Sequence, residues 1–137
     1  MNRSYENLPV WLYSRSSDKH PSALFYQMEN LLEIAQLQKY TVVGTSQDMS
    51  TGKNMARVGL QLAMRSIRNG SSRAILVRDL SRLSQERFVL LKILQFLQDH
   101  NAVLITTGSD LRYELYIEGL EEPLIRRAAR KNCNVPW

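Results

Sequence analysis

Three short stretches hold the residue types that could do chemistry. Ser14-Arg15-Ser16-Ser17 sets hydroxyls around an arginine. Asp48, Ser50, Thr51 and Gly52 lead to Arg57, and Arg78-Asp79-Leu80-Ser81-Arg82 joins two guanidiniums to a carboxylate. A serine hydroxyl is a weak nucleophile until it is activated. Attack on a phosphodiester builds negative charge on the phosphate oxygens, and fixed arginine donors can stabilise that charge. Metal enzymes meet the same need with a cation held by clustered carboxylates; these stretches offer arginines instead. They point to metal-free phosphoryl transfer with a serine nucleophile.

The elements that must position these residues follow from apolar periodicity. Val10 to Arg15 is apolar on both faces, as in a strand inside a parallel sheet. Ser22 to Gln38 has helical spacing, with Leu24, Met28, Leu31 and Ala35 on one face. Tyr40 to Thr45 is a second strand, and the polar stretch that follows, Ser46 to Arg57, has the composition of a loop. Arg57 to Arg68 is a second helix with Leu60, Ala63, Met64 and Ile67 inward, stopped by Asn69-Gly70. Ala74 to Val77 is a third strand. Phe88 to His100 is a third helix facing inward through Leu90, Leu91, Leu94 and Leu97, and Ala102 to Thr106 is a fourth strand. Glu121 to Lys131 is expected to form a short basic helix, with Pro123 in its first turn.

Strand and helix alternate throughout, which is the rhythm of a parallel sheet covered by helices. In such sheets, sites form beyond the C-terminal ends of the strands. The three reactive stretches leave the ends of strands one, two and three, so one sheet edge collects them.

Composition narrows the partners. The 137 residues suit one domain, and 18 Lys+Arg against 13 Asp+Glu give a net charge of +5. A basic, arginine-rich chain is attracted to polyanions, nucleic acid above all. No apolar run approaches the ~18 residues of a membrane span, and the N-terminus has no apolar signal core. A cytoplasmic location fits. Cys133 stands alone, and with only His20 and His100 no metal cluster can be assembled from spacing. Thr51-Gly52-Lys53 is not a phosphate-binding P-loop, because Gln47 and Asn54 occupy key positions of that motif.

The motifs carry a resemblance. Tyr13-Ser14-Arg15-Ser16-Ser17 matches the Tyr-x-Arg-x-Ser signature of serine recombinases, the resolvase/invertase family. Asp48-x-x-Thr51-Gly52 followed by Arg57-Val58-Gly59-Leu60 resembles that family's Asp-x-x-Ser-Gly loop and the start of its next helix. Val77 to Ser84, "VRDLSRLS", resembles its third block, and the likeness runs from about Val10 to Thr107. It implies an α/β, three-layer resolvase-like domain: a central, mostly parallel sheet of four to five strands flanked by helices. It implies that Ser17 is the nucleophile, forming a covalent 5′-phosphoserine link to DNA. Arg15, Arg57 and Arg82 would bind the scissile phosphate. Asp48 would position an arginine, Gln27 would lend support, and Tyr13, Thr51, Ser81 and Gln85 would lie around the site. No cofactor is implied. The implied partners are DNA and further copies of the chain, as a dimer or tetramer on DNA, with no membrane.

Two features depart from the family pattern. Gln85 stands where the family usually has a second arginine, three residues after the position of Arg82, and Ser81 stands where many members have aspartate. The expected organisation is a catalytic domain over 8–109 and a short extension of it over 110–137, without a recognisable DNA-binding domain. Two other readings use the same strand ends. One is a non-catalytic relative acting as a DNA-associated or protein-interaction module. The other is a domain that binds nucleotides or small anions.

Overall fold

The computed structural model describes residues 6–16, 21–49, 57–84, 86–107 and 125–127. The elements are β1 (Pro9–Ser16), α1 (Pro21–Leu37), β2 (Thr41–Met49), α2 (Val58–Arg68), β3 (Ala74–Val77), α3 (Arg87–Asp99), β4 (Val103–Thr106) and β5 (Ile125–Arg127). A single 3-10 turn, Leu80–Arg82, links β3 to α3. The five strands form one sheet in the order β2-β1-β3-β4-β5, and every neighbouring pair runs parallel. The expected α/β architecture is what the chain forms.

Side chains alternate across the sheet, so both faces are packed. Val10 and Leu12 of β1, Ala74 and Leu76 of β3, and Ile105 of β4 cluster with Leu31 and Ala35 of α1. Tyr13, Ile75, Val77 and Leu104 point the other way, into a larger cluster with α2 and α3. On α2 the buried residues are the expected ones, Leu60, Ala63, Met64 and Ile67. On α3 they are Leu90, Ile93, Leu94 and Leu97. Ile93 is buried in place of the expected Leu91, since positions 90, 93, 94 and 97 make the tighter helical stripe. Gly70 ends α2 at φ +82°, a conformation that favours glycine.

Two further expectations are corrected. The segment Ser46 to Met49, expected as loop, continues β2 in parallel register with Tyr13 to Ser16. Its polar residues are used by the sheet. Ser46 receives the Trp11 indole N–H at 2.8 Å and donates to the Gly59 carbonyl at 2.7 Å. Residues 125–127, expected inside a helix, form β5 beside β4, with Ile125 opposite Leu104 and Arg127 opposite Thr106. Backbone pairing along the β4 edge outweighs a short helix whose propensity is weak on its own.

Candidate active site

The site grows from an unequal pairing. β1 pairs with β3 only through Val10, Leu12 and the Trp11 between them, but pairs with β2 as far as Ser16. β1 therefore projects beyond its neighbour, and its last residues reach the segment that follows β3.

Among the described residues Arg15 is the largest fully buried side chain, at 1% exposure. Its Nε donates to the Arg82 carbonyl at 3.0 Å and its Nη2 to the Ser81 carbonyl at 2.6 Å. Arg57, also buried, approaches the same turn from the start of α2. Its Nη1 donates to the Arg82 carbonyl at 3.4 Å and its Nη2 to the Leu83 carbonyl, and its guanidinium lies 5.8 Å from the centre of the Tyr13 ring. Arg82 completes the exchange, donating from Nη1 to the Arg15 carbonyl at 3.1 Å. Three guanidiniums thus interlock through the carbonyls of one short turn and of β1. Burial, and then the like charge of Arg57, pull Arg15 below the ordinary arginine value. A guanidinium starts so high that it keeps its charge at neutral pH. The cluster is a concentrated, preorganised positive charge, suited to an oxyanion.

Carboxylates shape the cluster. Asp48 accepts the Tyr13 hydroxyl at 2.7 Å, and it accepts the N–H groups of Gly59 and Leu60 at 2.8 and 2.9 Å. It therefore caps the helix that Arg57 precedes, and it positions that arginine through the helix. The carboxylate also offsets a cation placed at a helix N-terminus. Gly59 is needed for this approach, because a Cβ there would sit 2.8 Å from Asp48 Oδ2 and from the Gln47 carbonyl oxygen. Asp79 plays the matching part for the 3-10 turn. It accepts the Ser81 N–H at 3.0 Å and the Ser81 hydroxyl, and lies 3.8 Å from Arg82 Nε. Leu80 and Leu83 are buried on either side of Ser81 and Arg82, which fixes where Arg82 points.

Gln27 comes from α1 and is buried. Its Oε1 accepts the Arg15 N–H at 3.1 Å and its Nε2 donates to the Arg15 carbonyl at 3.3 Å.

Of the residues singled out from the sequence, Tyr13, Arg15, Gln27, Asp48, Arg57, Ser81 and Arg82 are brought together. Ser17, Thr51 and Gln85 lie outside the described residues, although Ser16 ends β1 immediately before Ser17. Read from the sequence, Asp79 is among the reactive residue types but has no role in the site, and Gly59 has none. The Asp-x-Ser spacing of Asp79 and Ser81 is a capping signature and could have flagged the first. Nothing local to Gly59 announces its contact with Asp48.

Comparison with known proteins bears on this arrangement. The family described as "Resolvase, N terminal domain" matches residues 10–116. The chain belongs to that family. A comparison with curated proteins finds no match. Among solved structures, this resolvase-family chain is similar to the C-terminal catalytic domain of an IS607-like serine recombinase. They share 20% identity at a TM-score of 0.69, covering 77% of this chain and 73% of that one. It is also similar to a resolvase family site-specific recombinase from Streptococcus pneumoniae, with 25% identity and a TM-score of 0.61, over 72% and 71% of the two chains. A serine recombinase from Sulfolobus solfataricus gives 27% identity and a TM-score of 0.61, over 75% and 71%. No helix among the described residues is long and apolar enough to cross a membrane.

Proposed function

We propose that this resolvase-family domain cuts and rejoins DNA, with Ser17 as the nucleophile. The Ser17 hydroxyl gives up its proton as its oxygen attacks the scissile phosphorus, the bond from phosphorus to the 3′ oxygen breaks, that oxygen takes up a proton as a free 3′ hydroxyl, and the 5′ phosphate of the downstream strand is left esterified to Ser17. Rejoining is the reverse attack by a 3′ hydroxyl. The ester keeps the energy of the broken bond, so no cofactor is consumed. Arg15, Arg57 and Arg82 gather the charge that develops on the phosphate oxygens. Tyr13 and Asp48 hold Arg57 in place, Gln27 and Ser81 hold Arg15 and Arg82, and Thr51 and Gln85 are assigned supporting roles. The observation that carries this reading is the interlocking of three guanidiniums between the end of β1, which closes at Ser16, and the turn at Leu80–Arg82. The catalytic domain is 8–109, with 110–137 as its extension. DNA is the substrate, and copies of the chain assemble on it as dimers or tetramers in the cytoplasm.

A second reading has an observation of its own. Arg15 and Arg57 are buried and donate to the carbonyls of Ser81, Arg82 and Leu83, as structural arginines do. Together with Gln85, this favours a relative that associates with DNA without strand exchange.

A covalent trap separates the two. The protein is incubated with nicked duplexes built from its own genomic flanks, then denatured and resolved for a protein–DNA adduct. The catalytic reading expects an adduct that Ser17→Ala abolishes. Salt-dependent DNA binding with no adduct, persisting after Gln85→Arg, would establish the second reading.

A further inference from the structure

β1 outruns β3 on one side: among the described residues the β1–β3 register ends at Leu12 paired with Leu76, three residues before Arg15. A buried backbone N–H and C=O must still be satisfied. On the other side β2 continues, with Asp48 opposite Arg15. The gap is filled by one side chain from a helix. Gln27 offers an acceptor to the Arg15 N–H at 3.1 Å and a donor to the Arg15 carbonyl at 3.3 Å. These are the two bonds a neighbouring strand would have made. The backbone N–H fixes which end of the amide is oxygen, so the orientation is determined by the chain.

We infer that Gln27 is a positioning residue that acts as a one-residue substitute for a sheet strand, and that α1 through it sets the end of β1 and therefore Ser17. This rests on the reading of Ser17 as nucleophile. The Arg15 carbonyl is shared: it accepts from Gln27 Nε2 and also from Arg82 Nη1. Gln27 and Arg82 thus meet as donors at one carbonyl, two residues before Ser17 in the chain. It touches no reacting atom. Its effect should fall on the rate of the chemical step and leave DNA affinity alone, because a misaligned nucleophile is costly even when the substrate is bound.

The chemistry of an amide permits a discriminating variant. Gln27→Leu removes both bonds and keeps most of the volume. Gln27→Glu keeps the oxygen that accepts the Arg15 N–H and replaces the amide donor with an oxygen facing the Arg15 carbonyl.

The test uses the full chain with two readouts, amide hydrogen exchange over residues 14–16 and the rate of the Ser17 adduct on nicked duplex. Gln27→Leu should speed exchange there at least ~10-fold and slow adduct formation by ~10²-fold, with unchanged DNA affinity. Gln27→Glu, which keeps only the bond from the Arg15 N–H, should fall between wild type and Gln27→Leu in both readouts. Unaltered exchange in Gln27→Leu overturns the strand-substitute role. Altered exchange with an unaltered adduct rate, or a loss that lies wholly in DNA affinity, overturns the positioning role. A wild-type protein that forms no adduct counts against the nucleophile and with it the positioning of Ser17, while the exchange data still decide whether Gln27 holds the strand end.

Discussion

The Tyr13 hydroxyl lies 2.7 Å from Asp48 Oδ2, and this one bond ties β1 to the cap of α2. The two residues sit on adjacent strands, β1 and β2. The same carboxylate receives two helix N–H groups, so strand, edge strand and helix meet at a single side chain.

Removal of that bond should be visible in stability. Tyr13→Phe keeps the buried ring and its contact with Arg57 but leaves Asp48 one donor short. A hydrogen bond to a charged acceptor contributes ~1.5–3 kcal/mol. Urea unfolding at neutral pH should show a loss near the lower end, since two backbone donors remain on Asp48. The pH dependence supplies an independent check. Burial first, and then the Asp48 bond and charge, raise the Tyr13 pKa well above the ordinary tyrosine value, against the opposing pull of Arg57 and Arg15. A folded-state pKa above the unfolded one contributes stability that is complete below about pH 10 and is lost as the pH rises beyond it. The gap between wild type and Tyr13→Phe should therefore narrow above about pH 10. A constant gap across that range would contradict the assignment.

Gly59→Ala is expected to run against helix propensity. At an ordinary helix position alanine is favoured over glycine by up to ~1 kcal/mol. Here the added Cβ meets the Gln47 carbonyl oxygen and Asp48 Oδ2, each at 2.8 Å, and backbone cannot step aside cheaply. A net destabilisation of ~1–3 kcal/mol is expected, with the cap on α2 disturbed. Thermal or denaturant melting measures it. A stabilised variant would show that α2 can shift away from Asp48 without cost.

Gln85→Arg tests the family departure. If the chain acts as proposed, adding the cation the family usually carries should raise the adduct rate, by ~10² if the new donor reaches the transition state. The rate on nicked duplex is the measurement, with Ser17→Ala in the same background as the zero. An unchanged rate would mean that position 85 does not face the phosphate or that the remaining arginines already suffice.

Much of this was legible without coordinates, and the reason is local. The strand–helix order followed from apolar runs and helical spacing, each a property of a few neighbouring residues. The sheet-end rule then gathered Arg15, Arg57 and Arg82 at one edge. β2 was cut short because Ser46 to Met49 looks polar. Its partners, Trp11 and Tyr13, lie 35 residues away in the chain, so no local window contains the cause.

By itself the sequence determined the α/β class, the two-sided core, and which serine, arginines and carboxylate could form a site. Tertiary structure decided what those groups do to one another. Arg15 donates to carbonyls 66 and 67 residues away. Asp48 reaches Arg57 by capping its helix, and Gln27 replaces a strand because β3 stops short of the end of β1. Periodicity records which side of an element is buried. It does not record where a neighbouring strand ends, and that is where a side chain such as Gln27 takes up backbone groups that a strand pairs elsewhere in the sheet.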